Sequence, residues 1–169
     1  MIEAGDLLVY PWKDGKPGHI GIVVTGFDPT MPMTRANDAV QRALRFVDTG
    51  KYKLGRGGYK FNRTTPMDAD GFCDCTGFAP SWCYQMPRQD KELKLWWNTT
   101  AICHDALGKQ LRFQLIKHTQ DLAALQVVHC HGPSPSKKNP NPPPAISRAS
   151  GLLWKRKKAI VVRVKGDNE

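Results

Sequence analysis

DADGFCDCTGFAPSWCYQ, residues 68–85, sets two cysteines around one aspartate and follows them with Thr76-Gly77-Phe78. A cysteine on a glycine-containing turn that leads into an aromatic run is a structural thiol, a metal ligand or a nucleophile. The spacing predicts a helix over about 74–84 that buries Phe78 and Trp82. Cys75 falls at the start of that helix, where the dipole and the free backbone N–H groups favour a thiolate. Gly77 permits close backbone approach there. Cys73 precedes it in the loop, and Cys83 sits at the far end of the helix, away from the positive end of the dipole. By position Cys75 is therefore the best nucleophile candidate of the three. Asp74 reads as a helix cap, because a carboxylate beside a thiolate opposes its ionisation. Pro80 removes one helical hydrogen bond and predicts a kinked or late-starting helix.

Upstream of this stretch, residues 6–10 (DLLVY) and 19–25 (HIGIVVT) read as two strands of a hairpin joined by the turn cluster PWKDGKPG. Alternation places His19, Gly21 and Val23 on one face and Ile20, Ile22 and Val24 on the other. Residues 37–49 carry Val40, Ala43, Leu44 and Val47 at helical spacing, with Asn37 as a cap and Gly50 after the end. A glycine-rich loop follows. Downstream, a helix is expected near 99–108, a strand over 125–131 (LQVVHCH), a proline-rich extended loop over 133–144 and a closing strand over 159–164. There is no internal repeat. The pattern is that of an α+β fold, with helices packed beside a small antiparallel sheet.

The chain has 169 residues, with 40% hydrophobic content, 13 Pro and 15 Gly, which predicts one loop-rich globular domain rather than a disordered chain. Within it, residues 1–32 form the histidine hairpin, 33–116 a helical part with the nucleophile, and 117–169 the remaining strands and the proline-rich loop. No run approaches the roughly 18 apolar residues of a membrane span. The opening MIEAGDLLVYP has no basic region followed by an apolar one, so a signal peptide is not expected, and the protein would be cytoplasmic or exported by another route. Net charge is +10, from 25 basic and 15 acidic side chains, and points to an anionic partner. The run Trp154-Lys155-Arg156-Lys157-Lys158 supplies part of it and reads as a solvated loop beside a strand. No nucleic-acid motif accompanies it, so no nucleic acid is expected. The five cysteines are too sparse for a disulfide scaffold.

Four motifs spread over residues 5–131 resemble those of the NlpC/P60 cysteine peptidases. Asp74-Cys75-Thr76-Gly77-Phe78 resembles the nucleophile motif Asp-Cys-Ser-Gly-Phe. Tyr52-Lys53-Leu54-Gly55-Arg56-Gly57-Gly58 resembles the tyrosine-plus-glycines element that precedes it. Gly5-Asp6-Leu7-Leu8-Val9-Tyr10 with Gly18-His19-Ile20-Gly21-Ile22-Val23 resembles the Gly-Asp-Leu and His-Val-Gly-Ile strands. Val127-Val128-His129 resembles the strand that carries the third polar residue. The resemblance implies a papain-like core, a Cys75, His19, His129 triad and an assisting Tyr52 near the oxyanion. It also implies thiol hydrolysis of amide bonds in bacterial cell-wall stem peptides, with no cofactor and no metal. A basic surface would suit an anionic wall polymer.

The order of segments is rearranged relative to that family. The hairpin comes first here; moved to between Ile116 and Lys117 it would restore the family order. Two other readings remain open on the residues. One is a catalytically idle module on the same fold that binds cell-wall or other anionic ligands. The other is a zinc site built from His129 and His131, which share a strand face, with Cys73 or Cys75, although Cys-x-Cys lacks the usual Cys-x₂-Cys spacing.

Overall fold

The hairpin that opens the chain lies in the middle of the sheet. In a computed structural model, which describes residues 1–166, strands β1 (Leu7–Tyr10) and β2 (His19–Val23) pair antiparallel, with Tyr10 opposite His19. Helix α1 (Arg35–Arg45) follows. A short parallel pair, β3 (Lys51–Tyr52) and β4 (Phe72–Cys73), then leads into the Cys75 helix, whose central part is Gly77–Cys83. Next come a small antiparallel pair, β5 (Gln89–Asp90) and β6 (Leu95–Trp96), helix α2 (Thr99–Leu107) and strand β7 (Phe113–Leu115). The chain closes with β8 (Gln126–Cys130), β9 (Ile146–Ser150), the short helix α3 (Leu152–Arg156) and β10 (Ile160–Val164). The six long strands make one sheet in the order β7-β10-β1-β2-β8-β9, antiparallel at every pairing. The fold is α+β, with a mostly antiparallel sheet and a few helices.

Both faces of this sheet are covered, which is why its strands read as nearly continuous apolar runs. Leu7, Val9, Ile20, Ile22, Val128 and Val162 pack on one side with Phe78, Val40 and Ile102 from the helices. Leu8, Val23, Val127 and Val161 pack on the other with Leu122, Leu125 and Trp154. Gly21 sits where this second face is tightest. A Cβ there would lie 2.5 Å from Val127 Cγ1 and 2.8 Å from Trp154 Cζ2. Only a residue without a side chain lets the Trp154 indole lie flat against the strand.

Three expectations change on inspection. Helix α1 is capped by Thr34, whose side chain accepts the Asn37 N–H at 3.1 Å, and not by Asn37. It ends at Arg45 instead of near 49, because the following residues are drawn into the sheet: the Asp48 N–H donates to the Ile146 carbonyl and the Ala145 N–H to the Gly50 carbonyl. Pro80 neither kinks nor delays the Cys75 helix. The helix widens to π geometry over Gly77–Cys83, with the Met86 N–H reaching the Ser81 carbonyl five residues back at 2.9 Å. Widening relieves the clash that the proline ring would make with the carbonyl four residues before it.

The hairpin's two ends lie beside one stretch of chain. The Ile2 N–H donates to Gln120 Oε1, and the Val24 N–H donates to the Gln126 carbonyl. The segment after β7 thus borders both the entry to β1 and the exit from β2. We expect Gly21→Ala to destabilise the protein by about 1–3 kcal/mol through overpacking, read as a shift in the midpoint of denaturant unfolding. An unchanged midpoint would show that Trp154 is free to move.

Candidate active site

The start of the Cys75 helix is built around Asp74, whose side chain is 2% exposed. Its carboxylate accepts the Gly77 N–H at 2.6 Å, which caps the helix as expected, and the Gly55 N–H at 2.6 Å. Arg88 closes on it with both terminal nitrogens, at 2.9 and 2.8 Å. The same guanidinium donates to the Arg56 carbonyl and lies over the Trp96 ring. One buried charge pair therefore fixes the helix start, the glycine-rich loop and the segment after the helix. Burying a carboxylate is costly unless it is paired and hydrogen-bonded, and this one is both.

Cys75 sits on that frame with 4% of its surface exposed. Burial, with a smaller contribution from Asp74, pushes its thiol up to about 12, while the N–H groups of Ile20 and Thr76 act in the opposite sense. The helix start was expected to lower this pKa; desolvation outweighs it, so the protonated thiol is the resting form at neutral pH. All five cysteines are free and buried. Burial also raises the thiols of Cys83 and Cys103. The Cys130 thiol is raised chiefly by its hydrogen bond with Cys73.

His19 opens β2, one residue before the Ile20 N–H that faces the Cys75 sulfur. Its Nε2 lies 2.8 Å from His129 Nδ1 on the neighbouring strand β8. His129 Nε2 in turn faces Ser147 Oγ at 3.4 Å. The network assigns the protons: His19 carries hydrogen on Nε2 and donates it, so its Nδ1 holds the free lone pair. No hydrogen bond joins the Cys75 thiol to the His19 ring among the described residues. Catalytic hydrogen bonds often close only when substrate binds. His131, half-buried, stacks on His129 with ring centroids 4.1 Å apart, on the same face as alternation required. Trp154 stacks on His19 at 5.4 Å and meets His129 edge-on at 5.1 Å.

These imidazoles are held neutral. Burial, then the neighbouring His131, lowers the His19 pKa to about 3; burial, then His19 and His131, lowers that of His129 to about 2. Tyr52 pairs in register with Cys73, two residues before the candidate nucleophile. Its phenol is pushed up by burial and by the neighbouring Cys75. Among the described residues, no group of three or more His, Cys, Asp or Glu side chains is placed to hold a metal ion.

Sequence reasoning missed several members of this site. Trp154 was read as part of a solvated basic run, yet it is fully buried behind the histidine pair. Arg88 carried no motif, although an arginine is the side chain that fits a carboxylate with two parallel bonds. Tyr10, opposite His19 in the hairpin, has its phenol raised by burial and by Cys75. The register of DLLVY against HIGIV was the available signal for that residue.

Cys75 and Thr76 form part of the wall of an open cleft of about 910 Å³ that runs beside α2, with Gly18 at its mouth. Gly18 packs so closely on α2 that a Cβ would lie 2.2 Å from Thr99 Oγ1. No family model, curated protein or solved structure matches this chain.

The lowered histidine pKa values give a signed expectation. The unfolded chain protonates His19 and His129 near pH 6.5 while the folded protein does not, so the stability they contribute is complete above about 6.5 and is lost as pH falls towards 3. Thermal melts should shift down between pH 7 and 4.5, by up to about 1.4 kcal/mol per pH unit for each histidine. His129→Gln should flatten the slope. A wild-type melt independent of pH over that window would contradict the buried neutral pair. Separately, Arg88→Met leaves Asp74 buried and uncompensated and should cost about 3–5 kcal/mol, measured by chemical denaturation; a loss below about 1 kcal/mol would show that water reaches the carboxylate.

Proposed function

We propose that this protein is a thiol hydrolase of the NlpC/P60 type on a papain-like core, cleaving amide bonds in bacterial cell-wall peptides through Cys75, His19 and His129. The observation that carries this reading is the 2.8 Å contact between His19 Nε2 and His129 Nδ1 beside a thiol at a helix start. It supplies two of the relations that an activated nucleophile requires, an oriented base and N–H groups at the attacked carbonyl.

The protonation states favour general-base attack over a standing ion pair. His19 Nδ1 takes the Cys75 proton as sulfur attacks the amide carbon. The Cys75 N–H, aided by the Tyr52 hydroxyl, stabilises the oxyanion. His129 accepts the His19 Nε2–H throughout and holds the productive tautomer. The imidazolium that forms is buried, and the Trp154 face stacked on it favours the cation. His19 then gives its proton to the departing amine, and water hydrolyses the thioester. The basic surface, with net charge +10, suits an anionic wall polymer.

A second reading has its own support. The Cys75 thiol is pushed up to about 12 and is not hydrogen-bonded to His19, which also suits an idle module that binds wall ligands.

Chromatography of muropeptides after digestion separates the two. We expect fragment release by the wild type and none by Cys75→Ala. His129→Ala should lose at least about tenfold in kcat, on the scale of second-shell contributions. His129→Gln should retain part of the activity, because its amide oxygen can still accept the ring N–H, and His131→Ala should change little. An unchanged muropeptide profile from wild-type protein whose Cys75 still reacts with iodoacetamide would favour the binding module.

A further inference from the structure

We propose that the cleft beside Cys75 takes a long apolar acyl chain, so that the same thiol removes fatty acyl groups from amines; this rests on Cys75 being the nucleophile. The cleft touches Cys75 at one end and follows α2 to Gly108 and Lys109 at the other, about 13 Å at 1.5 Å per helical residue. Its volume of about 910 Å³ is ample for a drug-sized ligand. Its walls are Trp12, Leu54, Leu93, Leu95 and Leu111. Three of these are unusually open for apolar side chains: Trp12 is 51% exposed, Leu54 62% and Leu111 44%. Exposed apolar surface gathered around a concave site marks where a ligand covers it.

The polar side chains in the walls decide between a peptide and an acyl chain. Thr100 Oγ1 already accepts the Trp12 N–H at 3.2 Å, and Asn98 Oδ1 caps α2 through the Ala101 N–H at 2.9 Å. The Asp105 carboxylate is taken by the N–H groups of Leu111, Arg112 and Phe113, each at 2.9 Å. An extended peptide laid along this wall would bury its own N–H and C=O groups against partners already in use, which is costly. A hydrocarbon chain makes no such demand.

The chemistry balances without a further reagent. Sulfur attacks the acyl carbonyl carbon, the C–N bond breaks, and the thiol proton passes through His19 to the leaving amine. Water then adds to the thioester, the C–S bond breaks, and a carboxylic acid leaves with the thiol restored.

Two pairs of probes test the proposal. N-acetyl and N-octanoyl p-nitroanilide report turnover; iodoacetamide and N-octyl iodoacetamide, followed by peptide mapping, report access to Cys75 without needing the triad. Each buried methylene is worth up to about fourfold. We therefore expect the octanoyl anilide to exceed the acetyl one in kcat/KM by at least about 100-fold, and the octyl reagent to label Cys75 at least about tenfold faster than iodoacetamide. Leu54→Glu and Leu111→Glu, both at exposed positions, should bring the two ratios close to one. Equal labelling by the two iodoacetamides, or cleavage without chain-length preference, would overturn the acyl cleft and leave the thiol reading standing. Octyl preference in labelling without cleavage of either anilide would overturn the deacylase and leave a binding cleft. Failure of every reagent to label Cys75 would remove the nucleophile and the proposal with it.

Discussion

The buried pair of Asp74 and Arg88 is the constraint on which the site depends. A carboxylate taken out of water has to be answered by donors, and it finds them in three places that are distant in sequence: the Gly77 N–H, the Gly55 N–H and the Arg88 guanidinium. Satisfying one side chain therefore brings together the helix that bears Cys75, the loop that leads from Tyr52 and the segment that carries Trp96. The same guanidinium offsets the charge that would otherwise oppose ionisation of the adjacent thiol. Pairing, capping and electrostatic shielding are done by one contact, so no small change at position 74 or 88 is local.

Most of the architecture was legible because the hydrophobic effect writes itself as periodicity. HIGIV, QVVHC and IVVRV are strands with apolar residues on both faces, and they lie where the sequence placed them. The edge elements were not legible. β9 carries Ser147, Arg148 and Ser150 outward at the rim of the sheet, and that pattern resembles a loop. Helix α3 is too short to show a period, and its basic tail masked the one residue that matters, Trp154. The cap of α1 was misplaced by three residues because Thr34 and Asn37 both have capping chemistry, and the choice rests on backbone angles that the sequence does not display. Pro80 was read correctly as incompatible with an ordinary α-helix; a local change of pitch resolved the conflict where a break had been expected.

At the site, the motif placed His19 and His129 in contact range but said nothing of their surroundings. No carboxylate backs this pair. The third position is an imidazole, and it is itself covered by a second imidazole and an indole. Such a relay is poor at stabilising a cation through charge and relies on polarisable ring faces instead. The basic character of His19 is consequently weak at rest. A ligand that expels water and closes the thiol on the ring would change that balance more than it could in a site already ionised.

The position of the hairpin in the sheet has a consequence for how the protein reaches this state. β1 and β2 find each other quickly across a short loop, but their outer partners come from the far end of the chain. His19 and His129 are 110 residues apart, and Asp6 and Arg163 are 157 apart. Contacts of such separation form late, because loop closure has to precede their reward. Until then β8 and β10 each present an unpaired edge to solvent, and the hairpin presents two. Docking the hairpin seals all four edges in one event. The chain is therefore most exposed to pairing with its neighbours just before it becomes native, and the last step of sheet assembly is the one that aligns the histidines.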